Sequence, residues 1–188
     1  MTADEYLKHW AGREVWKRLV LPHHQERLRR CASYLPADPA GNVEGFVDVG
    51  SALGHSTAIL RGFRPGRWTG IDFSREAIDR AARTFADILF VYLAEVTEIE
   101  LLPRFAGVVC SEVIEHVQDD AALVRGLWAI TGGTLVLTTP RRVVDDPGHL
   151  RLYSREALEE LLQDAGVKGV RIETSSRYFY AVARREEA

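Results

Sequence analysis

Gly50 and Gly54, in the stretch Phe46-Val47-Asp48-Val49-Gly50-Ser51-Ala52-Leu53-Gly54-His55-Ser56-Thr57, constrain the fold more than any other feature of the chain. An apolar strand runs into a glycine-hinged turn, and that turn opens a helix. Such a turn brings backbone N–H groups and a helix N-terminus against a ligand, and glycine admits the close approach because it has no Cβ. A second segment, Arg67-Trp68-Thr69-Gly70-Ile71-Asp72, reads as a strand ending in a carboxylate, 22 positions after Gly50. A carboxylate so placed accepts hydrogen bonds from both hydroxyls of a ribose. Together the two segments predict one cleft for a nucleoside-bearing ligand.

Helices and strands alternate along the rest of the chain, without repeats or low-complexity linkers. Behind Pro22, suited to a first helical turn, Leu28, Cys31, Ala32 and Leu35 recur at helical spacing, and Pro36-Ala37-Asp38-Pro39 stops that helix. Strands are predicted at 45–49, 67–72, 88–92, 105–110, 134–139, 170–174 and 178–182. Between them lie a helix near 54–63, one capped by Ser74 with Ile78, Ala81, Ala82 and Phe85 inward, and one using Leu123, Leu127 and Trp128 before Gly132-Gly133 ends it. The last helix starts at Ser154 and turns Leu158, Leu161, Leu162 and Ala165 inward. Apolar strands covered on both faces imply a three-layer, Rossmann-like α/β sandwich. Its seven-stranded sheet is mostly parallel, and a terminal hairpin makes the final strand antiparallel.

With 188 residues, 46% of them hydrophobic, the chain is expected to form one domain over 1–188: an N-terminal helical segment at 1–36 and a ligand-binding core at 45–183. The net charge of −3, from 24 basic and 27 acidic residues, gives no global bias toward nucleic acid or an acidic membrane surface. No apolar run approaches the ~18 residues of a membrane span, and the first residues lack the pattern of a signal peptide, so a soluble cytoplasmic protein is expected. Cys31 and Cys110 lie in apolar surroundings and read as reduced structural thiols.

The Asp48-to-Gly54 turn, with Asp72 after it, resembles the class I S-adenosylmethionine-dependent methyltransferases, and the seven strands with a terminal hairpin match their fold over about 45–183. A dinucleotide dehydrogenase would instead show Gly-x-Gly-x-x-Gly. The family pattern is Asp-x-Gly-x-Gly-x-Gly; this chain carries Ala52 where the middle glycine is commonest, an alanine accommodated if its φ stays negative. The resemblance implies S-adenosylmethionine as cofactor, with Asp48 and Gly50 near its methionine portion and Asp72 on its ribose. It also places Phe73 beside the adenine and Glu95 with Val96 near the adenine amine. Ser51, Ala52, Gly54 and Ser111 complete the implied cofactor set.

A second constellation, Ser111-Glu112-Val113-Ile114-Glu115-His116-Val117, follows the fourth strand. On a helical turn Glu112, Glu115 and His116 share one face, with Cβ atoms ~5 to 6 Å apart. Two carboxylates and an imidazole suit Mg, Mn or Zn, and His149 is a candidate fourth ligand. The same residues are candidate acid–base groups: His116, Glu112 and His149 are the expected catalytic set, His116 having an intrinsic pKa near neutrality. In many similar methyltransferases this segment lines the cleft without metal. It also resembles ubiquinone-type O-methyltransferases and small-RNA 3'-terminal 2'-O-methyltransferases, but Gly148-His149-Leu150-Arg151-Leu152-Tyr153 keeps one histidine where the RNA-end enzymes carry two.

Three further features are weighed the same way. Tyr6, Trp10 and Trp16 are candidates for a lid or for ordinary packing; His23-His24 reads as a solvated helix start; Arg141-Arg142 reads as solvated or as binding an anionic acceptor. The expected function is methyl transfer to a small-molecule acceptor, with no membrane partner. The alternatives are a metal-assisted O-methyltransferase on an RNA 3' end or a catechol-like ring, and a catalytically inactive cofactor-binding regulatory protein.

Overall fold

The computed structural model describes residues 21–37, 44–143 and 146–185. The expected lid residues Tyr6, Trp10 and Trp16 lie outside the described residues, as do Asp38 and Pro39. In chain order the elements are α1 (Pro22–Tyr34), β1 (Glu44–Val49), α2 (His55–Phe63), β2 (Trp68–Asp72), α3 (Arg75–Thr84), β3 (Leu89–Tyr92) and a 3-10 segment (Val96–Leu101). There follow β4 (Phe105–Ser111), a second 3-10 turn (Ile114–His116), α4 (Asp120–Ala129), β5 (Thr131–Pro140), α5 (Arg155–Asp164), β6 (Arg171–Thr174) and β7 (Tyr178–Arg184). The sheet order is β3-β2-β1-β4-β5-β7-β6. Every pair from β3 to β5 is parallel, and β7 runs antiparallel to both β5 and β6.

The two-residue period of the strands sorts side chains onto two cores. Val47 and Val49, Val108 and Cys110, Leu135 and Leu137 pack with Leu123 and Leu127 of α4 and Leu158 and Leu162 of α5 on one face. Phe46, Val109, Val136 and Tyr180 pack with Leu28, Cys31 and Ala32 of α1 and Leu60 of α2 on the other. Each fully buried Leu or Phe contributes roughly 1.5–3 kcal/mol of transfer free energy, so α1 is held to the sheet by its apolar stripe, as its sequence period predicts. Both cysteines are buried and unbridged.

Two boundaries differ from the sequence expectation. Gly132-Gly133 does not end α4: Ile130 caps the helix and β5 begins at Thr131, because a Cβ at Gly133 would lie 2.4 Å from the Ala106 carbonyl oxygen across the β4–β5 pair. The glycine is required by close strand packing. On α3 the inward residues are Ala77, Ile78 and Ala81, while Ala82 faces solvent. Ser74 and Ser154 cap α3 and α5 as expected, accepting from the N–H groups of Ala77 and Ala157.

Candidate active site

The carboxyl end of the parallel strands carries one cleft of about 670 Å³, the position where sheets of this kind bind ligands. Its first wall is the turn after β1. The N–H groups of Gly50 and Ser51 both donate to the Ile71 carbonyl at 2.8 Å, and that of Ala52 donates to Oδ2 of Asp72 at 2.8 Å. The other carboxylate oxygen, Oδ1, accepts from Ser74 N–H at 2.8 Å. Asp72 is thereby the knot that ties the β1 turn to the end of β2. It is only 4% exposed, and burial pushes its pKa up to about 6 against the lowering effect of the Ser74 and Ala52 donors.

Gly50 and Gly54 adopt φ of +85° and +80°. A Cβ on Gly54 would lie 2.6 Å from the Phe90 ring, so packing as well as conformation demands glycine there. Ala52 overturns the expectation of a negative φ: its φ is +45°. Its N–H must turn toward Asp72, and the left-handed conformation that permits this costs an L-residue roughly 1–2 kcal/mol. Glu112, with φ of +62°, is the other non-glycine at positive φ among the described residues. Both line the cleft, the setting in which strained backbone concentrates.

Asp48 braces rather than lines. Its Oδ2 accepts from Thr57 Oγ1 at 2.7 Å and Ser56 Oγ at 2.8 Å, fixing the first turn of α2 to β1. Burial raises its pKa and the two hydroxyls oppose that rise.

The helical face expected for Glu112, Glu115 and His116 does not form. The left-handed Glu112 breaks the chain direction, and only Ile114–His116 makes a 3-10 turn. Glu112 instead reaches Arg27 Nη1 of α1 at 3.3 Å. Burial pushes the Glu112 pKa up to about 7, with Arg27 pulling the other way. Glu115 is fully buried; its Oε2 accepts from Thr139 Oγ1 at 3.1 Å and its backbone carbonyl accepts from Leu150 N–H at 2.8 Å. Desolvation, then the nearby Glu112 charge, raise the Glu115 pKa well above the usual range.

His116 does line the cleft, and its Nδ1 lies 2.9 Å from the Gly148 carbonyl. A carbonyl only accepts, so Nδ1 carries the hydrogen and Nε2 is the basic nitrogen. The His149 ring stands edge-on to His116 with centroids 4.6 Å apart; burial lowers the His149 pKa and Asp146 opposes that shift. Glu115, His116 and His149 each offer a ligand atom within 4.8 Å of the others.

The structure therefore brings together Gly50, Ser51, Ala52, Ser111, Glu112, His116 and His149 around one space. Asp48, Gly54, Asp72, Phe73, Glu95, Val96 and Glu115 do not line it. Glu95 is exposed at the start of the Val96–Leu101 segment, its N–H donating to Glu98 at 3.1 Å. Sequence reasoning missed Arg27, His55, Arg177 and Tyr178, which all face the cleft. Arg27 hides in a run of arginines on a helix, and Tyr178 reads only as a strand residue; His55 carries the one local signal, its place directly after Gly54.

Ser51 Oγ, His55 Nδ1, Glu112 Oε1 and Arg27 Nε are buried polar atoms without a partner, and all belong to residues of the cleft wall. Buried polar atoms are normally paired, so four orphans around one space fit a polar ligand there. A sheet of this order, with β7 reversed and a glycine turn at the end of β1, is the arrangement of the class I S-adenosylmethionine-dependent methyltransferases.

The chain belongs to a methyltransferase-domain family, whose sequence model matches residues 21–172. No curated protein sequence matches it. Among solved structures it is similar to a SAM-dependent methyltransferase from Archaeoglobus fulgidus, with TM-score 0.67, 17% identity and coverage of 86% of this chain and 92% of that one. It is also similar to the magnesium protoporphyrin IX methyltransferase of Synechocystis PCC 6803 with bound SAH, with TM-score 0.70, 17% identity and 97% of each chain covered. The [4+2]-cyclase SpnF has the same fold, with TM-score 0.69, 14% identity and coverage of 86% and 80%. Among the described residues no helix is long and apolar enough to cross a membrane.

Proposed function

We propose that the chain transfers a methyl group from S-adenosylmethionine to a small-molecule acceptor. One observation carries the reading: the about 670 Å³ cleft that joins the Gly50–Leu53 turn to His116 and His149, with orphaned polar atoms in its wall. Ser51, Ala52 and the Asp72 carboxylate behind them would hold the donor, and Ser111 and Glu112 would close its other side. The donor supplies an already activated methyl group. What the protein adds is position, exclusion of water and a place for the acceptor's proton.

His116 is suited to that last task. Its Nδ1–H is anchored on the Gly148 carbonyl, which fixes the ring and turns the basic Nε2 away from the anchor. His149, packed edge-on, keeps that ring from rotating. The experiment is transfer of labelled methyl from S-adenosylmethionine over a panel of small alcohols, phenols and amines. Transfer that falls about a hundredfold or more in His116→Ala supports a base. No transfer to any acceptor, with donor binding intact, would leave the cofactor-binding regulatory reading instead.

The clustering of Glu115, His116 and His149 favours one second reading, a divalent metal assisting O-methylation of an RNA 3' end or a catechol-like ring. It keeps Glu115, His116 and the expected fourth ligand His149, and drops Glu112, which pairs with Arg27. Zinc or manganese titration that fails in Glu115→Gln and His149→Ala is the result it requires.

A further inference from the structure

Two arginines, two histidines and a helix terminus meet at the mouth of the cleft. Arg142 follows the end of β5, and Arg177 closes the β6–β7 turn beside it, the two segments joined by Arg141 N–H donating to the Arg177 carbonyl at 2.9 Å. Both side chains are exposed and line the cleft, and among the described residues neither has a carboxylate within ion-pair distance. Opposite them, α1 begins at Pro22 with no side-chain cap and no acidic residue in its first turn, and His23 and His24 of that turn also line the cleft. A helix N-terminus carries about half a positive charge, which acidic residues commonly offset. Among the described residues of that first turn no acidic side chain offsets it.

At the floor lies Arg27, 5% exposed, with Nε unpartnered and its guanidinium 5.0 Å over the Tyr178 ring. The two described carboxylates of the wall are engaged: Glu112 with Arg27, and Asp146 with the Gly148 N–H at 2.9 Å. The His23 pKa reports the field, lowered first by burial and then by Arg177 and Arg27. This positive mouth stands in a chain of net charge −3.

We propose that the methyl acceptor carries an oxyanion, a carboxylate or a phosphate monoester, seated between Arg142, Arg177 and the first turn of α1. The inference rests on the methyltransferase reading of the same cleft and deepens it. The donor also bears a carboxylate, but it belongs by its turn to β1. β5 and β7 lie two and three strands away from β1, roughly 10 to 14 Å at the usual strand spacing. Planar guanidinium groups bind carboxylate and phosphate through paired N–H donors, and the His23 N–H adds one backbone donor, since Pro22 has none and those of His24 and Gln25 donate to the Leu21 carbonyl.

The test uses the full chain saturated with S-adenosylhomocysteine and titrated calorimetrically with matched sets of compounds. One set is 4-hydroxybenzyl alcohol, 4-hydroxybenzoate and 4-hydroxyphenyl phosphate; others vary the ring and the alcohol or amine. The anionic members are expected to bind at least about tenfold tighter than their neutral partner, since a charge-assisted hydrogen bond contributes about 1.5–3 kcal/mol. That preference disappears in Arg142→Ala/Arg177→Ala, is weakened by each single arginine variant, and survives in Arg83→Ala, an exposed α3 position that changes net charge by one as each single variant does. Preference for the carboxylate or the phosphate member identifies which oxyanion the mouth accepts.

Equal binding of neutral and anionic members, no binding of any anion, or an unchanged preference in the double variant would each overturn the proposal. So would weakened S-adenosylhomocysteine binding in the double variant, which would assign the arginines to the donor. Absence of S-adenosylhomocysteine binding by the unaltered protein would instead refute the methyltransferase reading.

Discussion

The backbone N–H of Ala52 donates to the Asp72 carboxylate at 2.8 Å, joining the tips of two adjacent parallel strands through one residue held at a φ of +45°. The bond accounts for the strain: the left-handed turn aims the N–H at the buried Asp72 carboxylate. A non-glycine residue there exchanges conformational energy for a fixed loop.

Replacing Ala52 by glycine relieves that conformation. Glycine usually weakens an ordered position by roughly 0.5–1 kcal/mol, whereas relief of left-handed strain contributes about 1–2 kcal/mol in the other direction. Ala52→Gly is therefore expected to raise the urea midpoint slightly, by an amount equivalent to up to about 1 kcal/mol. A clear fall in midpoint would show that the turn is not strained in solution.

The Glu112 carboxyl makes stability fall with rising pH. Burial moves its pKa from 4.5 in the unfolded chain up to about 7, so the folded protein holds the proton more tightly. That contribution is fully present below about pH 4.5 and is lost as pH rises through about 7; Asp72, raised from 3.8 to about 6, acts in the same direction. Denaturation across this window should show the unaltered protein losing stability relative to Glu112→Gln as pH rises. A difference that is flat, or grows the other way, contradicts the burial of that carboxyl against Arg27.

Chelation separates the two readings of the Glu115, His116 and His149 cluster. Glu115 is fully buried, bonded to Thr139 and held toward its neutral form by desolvation, and a protonated carboxyl is a poor metal ligand. Dialysis against EDTA is expected to leave methyl transfer unchanged, and added zinc or manganese to leave the melting temperature unchanged. Loss of transfer on chelation, restored by one of those ions, would establish the metal-assisted reading.

What was legible in the sequence was whatever repeats locally. The strand periods, Ser74 and Ser154 as caps, and the stripe Leu28-Cys31-Ala32-Leu35 depend on near neighbours, and the structure carries them at those positions. The Gly50 and Gly54 hinges were legible because positive φ leaves a residue signature. The sign of φ at Ala52 was not, since it is set by a hydrogen bond that its N–H donates to a carboxylate on another strand. For the same reason the Arg27–Glu112 pair, 85 positions apart in the chain, was invisible, and the helical face expected for Glu112, Glu115 and His116 failed on one left-handed residue.

The central claim is that the tips of β1 and β2 together hold the methyl donor, and calorimetric titration with S-adenosylhomocysteine tests it most directly. The account expects saturable binding by the unaltered protein and at least about tenfold weaker binding by Asp72→Ala, because the variant leaves the Ala52 N–H unpaired and unties the turn that would hold the donor. No binding by the folded, unaltered protein, or equal affinity in a folded Asp72→Ala variant, would contradict it.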